Sequence, residues 1–302
     1  MQLILYNDDF GVTYGLTNAV KESYLNGTTT ATSIRTNGFA FDYAVNEVLP
    51  SIPDLELGLH INLTEGPPDA RLSAVPHLIN GSGHYKRTFQ QYCLAVRKDK
   101  RILNEIRLDI EAQFQKARDH RLKINHVNGH QHIHMIPSVF EIVCQTVRDC
   151  GIKYVRIPLE PFFICPALHD NLFMILRLNL VKHFLLNHLS LQAIKIIRNY
   201  GLSCVGSFVG VMYTGSMTVK TFKSAIFKLR RLNISVAEVL FHPANIDCSE
   251  DMKEKGGRIP EYYYTKERCI EKENLLSQEM SELIKSNNIK LITHAHLGQR
   301  IF

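Results

Sequence analysis

The sequence predicts an α/β fold: a single-domain, distorted β/α barrel of the TIM-like kind over residues 1–302. Short apolar, β-rich runs alternate with longer segments of helical period along the chain. The residues able to carry chemistry fall at the C-terminal ends of those runs, where a parallel barrel gathers its site. At 45% hydrophobic and 21% charged, with no low-complexity linker and no internal repeat, 302 residues suffice for one large core.

In chain order, strands are expected at Gln2–Asn7, Ala31–Asn37, Glu56–Asn62, Lys123–Asn128, Lys153–Ile157, Val205–Gly210, Val236–Phe241 and Ile289–Thr293. Helices are expected near Thr17–Leu25, Phe41–Leu49, Leu103–Arg121, Ser138–Cys150, Asn171–Arg198, Val219–Leu232 and Lys266–Ser286. Gly151 and Gly201 stand just past two of these helices, where a left-handed residue ends a helix well. In the last helix Cys269, Leu276, Met280, Leu283 and Ile284 repeat at helical spacing, which leaves Glu271, Lys272 and Glu273 facing outward. The Gly-, Pro- and Ser-rich stretch Thr64–Arg87 reads as a surface excursion beside the site.

Composition removes several classes. The seven cysteines show no C-x-x-C spacing, which argues against zinc ribbons and thioredoxin-type chemistry. With an N-terminus that opens directly into a strand, they point to a reducing, cytoplasmic setting. The apolar stretch from Leu172 to Leu191 is broken by Arg177, Lys182, His183 and His188, too much charge for a transmembrane segment. Net charge is +6, and from Asn171 to Ala237 there are nine lysines and arginines and no acid. That stretch reads first as solvated helix faces, and second as attraction to an anionic lipid or substrate. No nucleic-acid motif is visible. Peripheral membrane contact and self-association stay open.

The first strand ends in Asn7-Asp8-Asp9-Phe10-Gly11. Neighbouring side chains on a strand alternate, so one aspartate could bind a cation while the other reaches a different side of the site. His60, near the end of the third strand, reads on its own as a core histidine. The segment from His126 to His134 changes that balance. It carries four histidines within nine residues, all at even spacing, and in extended backbone they would share one face. Metal binding is the usual reason for such density. Same-face residues lie about 7 Å apart and a metal sits about 2 Å from each ligand, so one ion takes only one or two of them. The break at Gly129 makes His130 the first to project into a site. An aspartate and two histidines from three strand ends form an open, catalytic type of metal site, and the second aspartate can serve as general base. His242, before Pro243, could protonate a leaving amine, or simply pack. Arg156, at a further strand end, could hold substrate or an oxyanion, or pair with Asp8 or Glu160. His294 and His296 are candidates by position alone.

These residues, in this order, resemble the YdjC-like carbohydrate deacetylases, which include chitooligosaccharide deacetylases. The family pattern is A-D-D-F-G, then G-L-H-x-N-L-T-x-G, then D-[SG]-H-x-H-x-H, then H-P. Here it stands as Asn7–Gly11, Gly58–Gly66, Asn128–His134 and His242-Pro243. The resemblance implies a barrel of the glycoside hydrolase and deacetylase type, with Asp9, His60 and His130 as ligands of one divalent metal, magnesium or zinc. It implies Asp8 as general base and His242 as acid, with Arg156 and His132 on the substrate side. The substrate implied is an N-acetylated amino sugar, as an oligosaccharide or a glycolipid headgroup. Asn7 replaces the usual Ala. Asn128 replaces an Asp, removing a charge that could orient a ligating histidine. Together with V-R-I-P-x-E-P and F-H-P-A segments, that Asn is similar to the hopanoid-biosynthesis branch, whose sugar is lipid-linked. Phe173, Leu176, Leu180, Phe184, Leu191 and Ile194, at helical spacing, would suit such a substrate, though a barrel helix packed on its sheet explains them more simply. The competing readings are hydrolysis of another amide or ester, and a non-catalytic protein that binds through its basic surface.

Overall fold

The computed structural model describes residues 1–165, 172–252 and 259–297, with backbone alone at 172–178, 250 and 252. Eight parallel strands form one sheet: β1 (Gln2–Phe10), β2 (Ala31–Ile34), β3 (Glu56–Ile61), β4 (Ile124–Gly129), β5 (Tyr154–Val155), β6 (Phe208–Val209), β7 (Val236–Phe241) and β8 (Lys290–Leu291). The order is β5-β4-β3-β2-β1-β7-β6, with β8 paired to the start of β1. The sheet curls into a half-barrel, and a parallel bridge from Tyr154 to Ser203 spans the gap between β5 and the segment entering β6. β1 runs through the middle, buried from Leu3 to Phe10. Helices Tyr14–Leu25 and Lys100–Asp119 pack against β1 and β3, covering a face of the sheet as crossover connections do.

Register sets the level of the site. Asn7 pairs with Phe241, and His60 pairs with Asn128. Asp8 and His242 therefore leave adjacent strands at one height, and His130 follows just above His60.

Most expected elements form, with differences that matter. β1 runs three residues past Asn7 and takes in both aspartates. An unanticipated helix, Phe89–Lys98, is closed by a capping box between Thr88 and Gln91. The Thr64–Arg87 stretch is pinned, with Val75, Leu78 and Tyr85 in the core and the amide of Ala70 donating to Asp109. The last helix is two, Lys266–Leu276 and Gln278–Ser286, because Ser277 turns extended and caps the second. In the first of these, Glu271 faces inward at 1% exposure rather than outward.

Helix Leu172–Asn199 also packs differently from the expected stripe. His183, Leu186, Ser190, Ala193 and Ile197 form its buried face, while Phe184 and Leu191 are exposed and Leu180 and Ile194 are half-buried. Asn171 and the side chains of Phe173 and Leu176 lie outside the described residues. Among the described residues no helix is long and apolar enough to cross a membrane, and no two cysteines form a disulfide.

Gly58 fits because it has no side chain: a Cβ there would stand 2.2 Å from His126 Nε2. The His126 ring cannot retreat, since it stacks on His294. Gly58→Ala is therefore expected to cost about 1–3 kcal/mol, read as a lowered midpoint in urea or thermal unfolding.

Candidate active site

Asp8 and Asp9 do not alternate as strand neighbours should. Asp9 takes a positive φ of 67°, a conformation uncommon for a non-glycine residue and concentrated at functional sites. The ladder to β2 shifts register at this point. Both carboxylates consequently line one cavity of about 400 Å³, together with His60, His130, His132 and His242.

Three donor atoms from three elements converge there. Asp9 Oδ1 lies 3.6 Å from His60 Nε2 and 3.3 Å from His130 Nδ1, and the two nitrogens are 3.4 Å apart. A point equidistant from such a triangle lies about 2 Å from each corner, the usual metal–ligand distance for imidazole and carboxylate. Asp9 Oδ1 is buried with no hydrogen-bond partner, a costly state unless something positive accepts it. The residues fit a divalent ion.

The surrounding groups orient the donors. His60 Nδ1 donates to Asn128 Oδ1 at 2.8 Å, leaving Nε2 as the free lone pair. His130 Nε2 faces Glu65 Oε1 at 3.1 Å and the Tyr262 hydroxyl at 3.0 Å, leaving Nδ1 for an ion. Burial lowers the His130 pKa, but Glu65 and Asp9 more than offset this and raise it. Glu65 is fixed in turn by Arg35, Tyr263 and Gln131. Arg268 donates to Asp9 Oδ2 at 3.0 Å. Burial would raise the Asp9 pKa, yet His130 and Arg268 hold it well below the usual carboxylate range.

Asp8 stands beside the triangle without joining it. Both its oxygens accept from Arg156 Nη1 at 2.9 Å, and Oδ1 also takes Asn128 Nδ2 at 2.8 Å. Burial pushes its pKa up, but Arg156 and the nearby imidazoles bring it down to about 2. Arg156 is not among the described residues that line the cavity; it lies behind Asp8. Its Nε donates to Glu238 at 2.6 Å, and its guanidinium lies 4.3 Å above the Tyr6 ring. The ion pair with Asp8 is the reading the structure favours, and its other partner is Glu238, not Glu160.

His242 lines the cavity, its backbone amide held by Glu271 Oε2 at 2.6 Å. Burial and the charge of Arg268 lower its pKa to about 4; burial raises that of Glu271 to about 7. The four histidines of the 126–134 segment do not share one face, because Gln131 and His132 turn to positive φ after β4 ends. His130 joins the triangle and His132 lines the cavity edge-on to Phe208. His134 binds the Arg156 carbonyl at 3.0 Å, and His126 points to the barrel floor.

On that floor Glu56, His126 and His294 also bring donor atoms together. The Glu56 oxygens, however, already accept from the amides of His294 and Ala295 at 2.9 Å. The two imidazoles stack with centroids 4.0 Å apart and planes 17° apart, so their in-plane lone pairs run side by side instead of converging. The group reads as a buried ion-pair cluster. His294 is thus away from the cavity, and His296 caps Thr293 at the surface.

Glu65, Tyr262, Lys182, Arg268 and Glu271 were not identified from sequence. Glu65 occupies the variable position of the G-L-H-x-N-L-T-x-G motif and Lys182 lies in the acid-free stretch; the others have no local signature.

Known proteins resemble this chain in sequence and in fold. The family model for YdjC-like protein matches residues 2–286. A carbohydrate deacetylase of Brevibacillus brevis is 25% identical over 298 residues, covering 99% of this chain and 100% of the relative. A chitooligosaccharide deacetylase of Citrobacter koseri is 32% identical over 151 residues, 50% of this chain and 57% of the relative. A solved structure of a candidate cellobiose-phosphate cleavage protein from Enterococcus faecalis superposes with a TM-score of 0.72 at 20% identity over 98% of both chains, which establishes the shared fold.

Two outcomes follow from the geometry. In calorimetric titration the metal-free protein should take up about one equivalent of zinc. Affinity should drop at least tenfold in His60→Ala and His130→Ala, with stoichiometry unchanged in Glu56→Gln. The second concerns acid. A histidine whose folded pKa lies below its unfolded value binds protons more readily when unfolded, so stability is lost as pH falls. Burial, with the Arg156 charge beside it, lowers His134 to about 3, and burial with His294 stacked on it lowers His126 to about 4, both from 6.5. The melting temperature should fall between pH 6.5 and pH 4. His134→Gln, which keeps a donor for the Arg156 carbonyl, should flatten that slope.

Proposed function

The chain belongs to the YdjC-like family, and from that premise we propose that it is a metal-dependent hydrolase removing acetyl from an N-acetylated amino sugar. The substrate is an oligosaccharide or a glycolipid headgroup, as the names of the deacetylase relatives support. One observation carries the reading: an Asp-His-His triangle of metal-binding size with a separate, ionised carboxylate, Asp8, fixed beside it. Two imidazoles in the donor set favour zinc or another transition metal over magnesium. An ion held by Asp9, His60 and His130 would polarise the acetyl carbonyl and acidify a water.

The remaining work falls to side chains. Asp8 takes the proton of the attacking water; Arg156 and Asn128 keep it ionised and aimed. His242 leaves the adjacent strand at the level of Asp8. Burial and Arg268 favour its neutral form, so the proton it passes to the leaving amine is the one Asp8 takes from the water. His132, Gln131 and Lys182 form the wall against which the sugar rests.

The purified protein should release acetate from a small N-acetylglucosamine oligosaccharide and stop when a chelator strips the metal. Asp8→Asn should lower kcat by about 10²–10⁴ while metal content holds. Full activity in that variant, or acetate release untouched by chelator, would overturn the assignment. A parallel panel of other amides and esters separates this reaction from its nearest alternatives.

A further inference from the structure

Large apolar side chains are exposed on one continuous face beside the cavity. Phe162 and Ile164, after β5, are 46% and 70% exposed; Val181, Phe184 and Leu185, on helix Leu172–Asn199, are 70%, 59% and 42% exposed; Phe227, on helix Val219–Arg231, is 65% exposed. Ring contacts join them: Phe162 meets His183 edge-on at 6.2 Å, and His183 meets Phe184 at 5.4 Å. Farther out, Phe162, Ile164 and Phe227 line a shallow groove whose other walls are Lys223, Lys228 and Arg231. Lys182, between the exposed Val181 and the buried His183, reaches into the catalytic cavity, so the face begins at the mouth of the site.

Among the described residues, the charge lining this groove has one sign. The stretch 171–237 contains no Asp or Glu. Glu160, beside Phe162 in sequence, is buried and spent on His183 and the amides of Gly210, Val211 and Met212. A protein partner would need matching acids and a shaped surface. A bilayer carrying anionic lipid needs only apolar side chains to enter the interface and cations to meet its headgroups.

We propose that this face docks the protein on an anionic phospholipid surface, with the cavity mouth beside the membrane. Ile164, Phe184 and Phe227 insert at the interface. Lys223, Lys228 and Arg231 keep their charges at headgroup level, as long basic side chains do. The proposal rests on the face alone and is independent of the bond that the site cleaves.

The test is co-sedimentation of the full chain with phosphatidylcholine vesicles, with and without phosphatidylglycerol. Binding is expected only with phosphatidylglycerol, weakening as salt rises. Lys223→Glu/Lys228→Glu should weaken it by at least about 25-fold, from roughly fivefold per basic residue. Ile164→Ser/Phe227→Ser should weaken it as well. Acetate release from a soluble oligosaccharide should be unchanged in both variants, which shows that they fold. No binding to anionic vesicles, or binding indifferent to both double variants, would overturn the proposal. So would light scattering that shows a dimer dissolved by Ile164→Ser/Phe227→Ser, since a second copy would then cover the face.

Discussion

Two neighbouring carboxylates lie buried at the top of the central strand, and each stays ionised because it has an arginine of its own. Asp8 has Arg156 from the end of β5, and Asp9 has Arg268 from the C-terminal helices. Without them, desolvation would neutralise at least one carboxyl, as it does for close carboxylate pairs. A neutral acid can neither hold a cation nor accept a proton. The requirement propagates downward. Arg156 is itself buried and divides its charge between Asp8 and Glu238. Glu238 faces His294, and His294 faces Glu56 on the barrel floor. Leaving one member of such a chain unpaired costs about 3–5 kcal/mol, so the aim of the Asp8 carboxylate is tied to packing far beneath it.

The two aspartates differ in what covers them. The Asp8 oxygens are filled by Arg156 and Asn128. Asp9 has one oxygen on Arg268 and the other bare, turned toward two imidazoles. The left-handed backbone at Asp9 makes this division. Extended geometry would send one carboxylate to the far face of the sheet, and only one would reach the cavity. Gly11, in the turn that follows, is also at positive φ.

What the sequence disclosed follows the range of the interactions involved. The strand ends bearing His60, His130 and His242 were legible because apolar runs and short motifs are local. β7 was placed to the residue. The turn at Asp9 was not legible, since an Asp-Asp-x-Gly run says nothing of which residue takes positive φ. Arg268 and Glu271 were missed for another reason. They lie on a helix whose inward face is polar, with Arg268, Glu271 and Leu275 buried, and a rule that sends charges to solvent reads that face as surface. The opposite error occurred on helix Leu172–Asn199. Its buried face includes His183 and Ser190 while Phe184 and Leu191 face out, so apolar periodicity there located the packed side only in part, through Leu180 and Ile194. In both cases polar groups face inward because they have partners. Glu271 holds the amides of His242 and Met217, and His183 holds Glu160.

Asn128 shows how a departure from a motif is absorbed. An aspartate at this position would accept from His60 Nδ1 as the amide carbonyl does, and would make His60 a more basic ligand. It would also set a third carboxylate against Asp8, with Arg156 already shared. The amide avoids that repulsion, and its Nδ2 donates to Asp8 where an aspartate has nothing to give. One neutral side chain therefore fixes the tautomer of His60 and the orientation of Asp8 at once. The charge lost to His60 is small beside this, because the anion that matters to an ion in the triangle is Asp9. What the substitution weakens at His60 it returns as rigidity at Asp8.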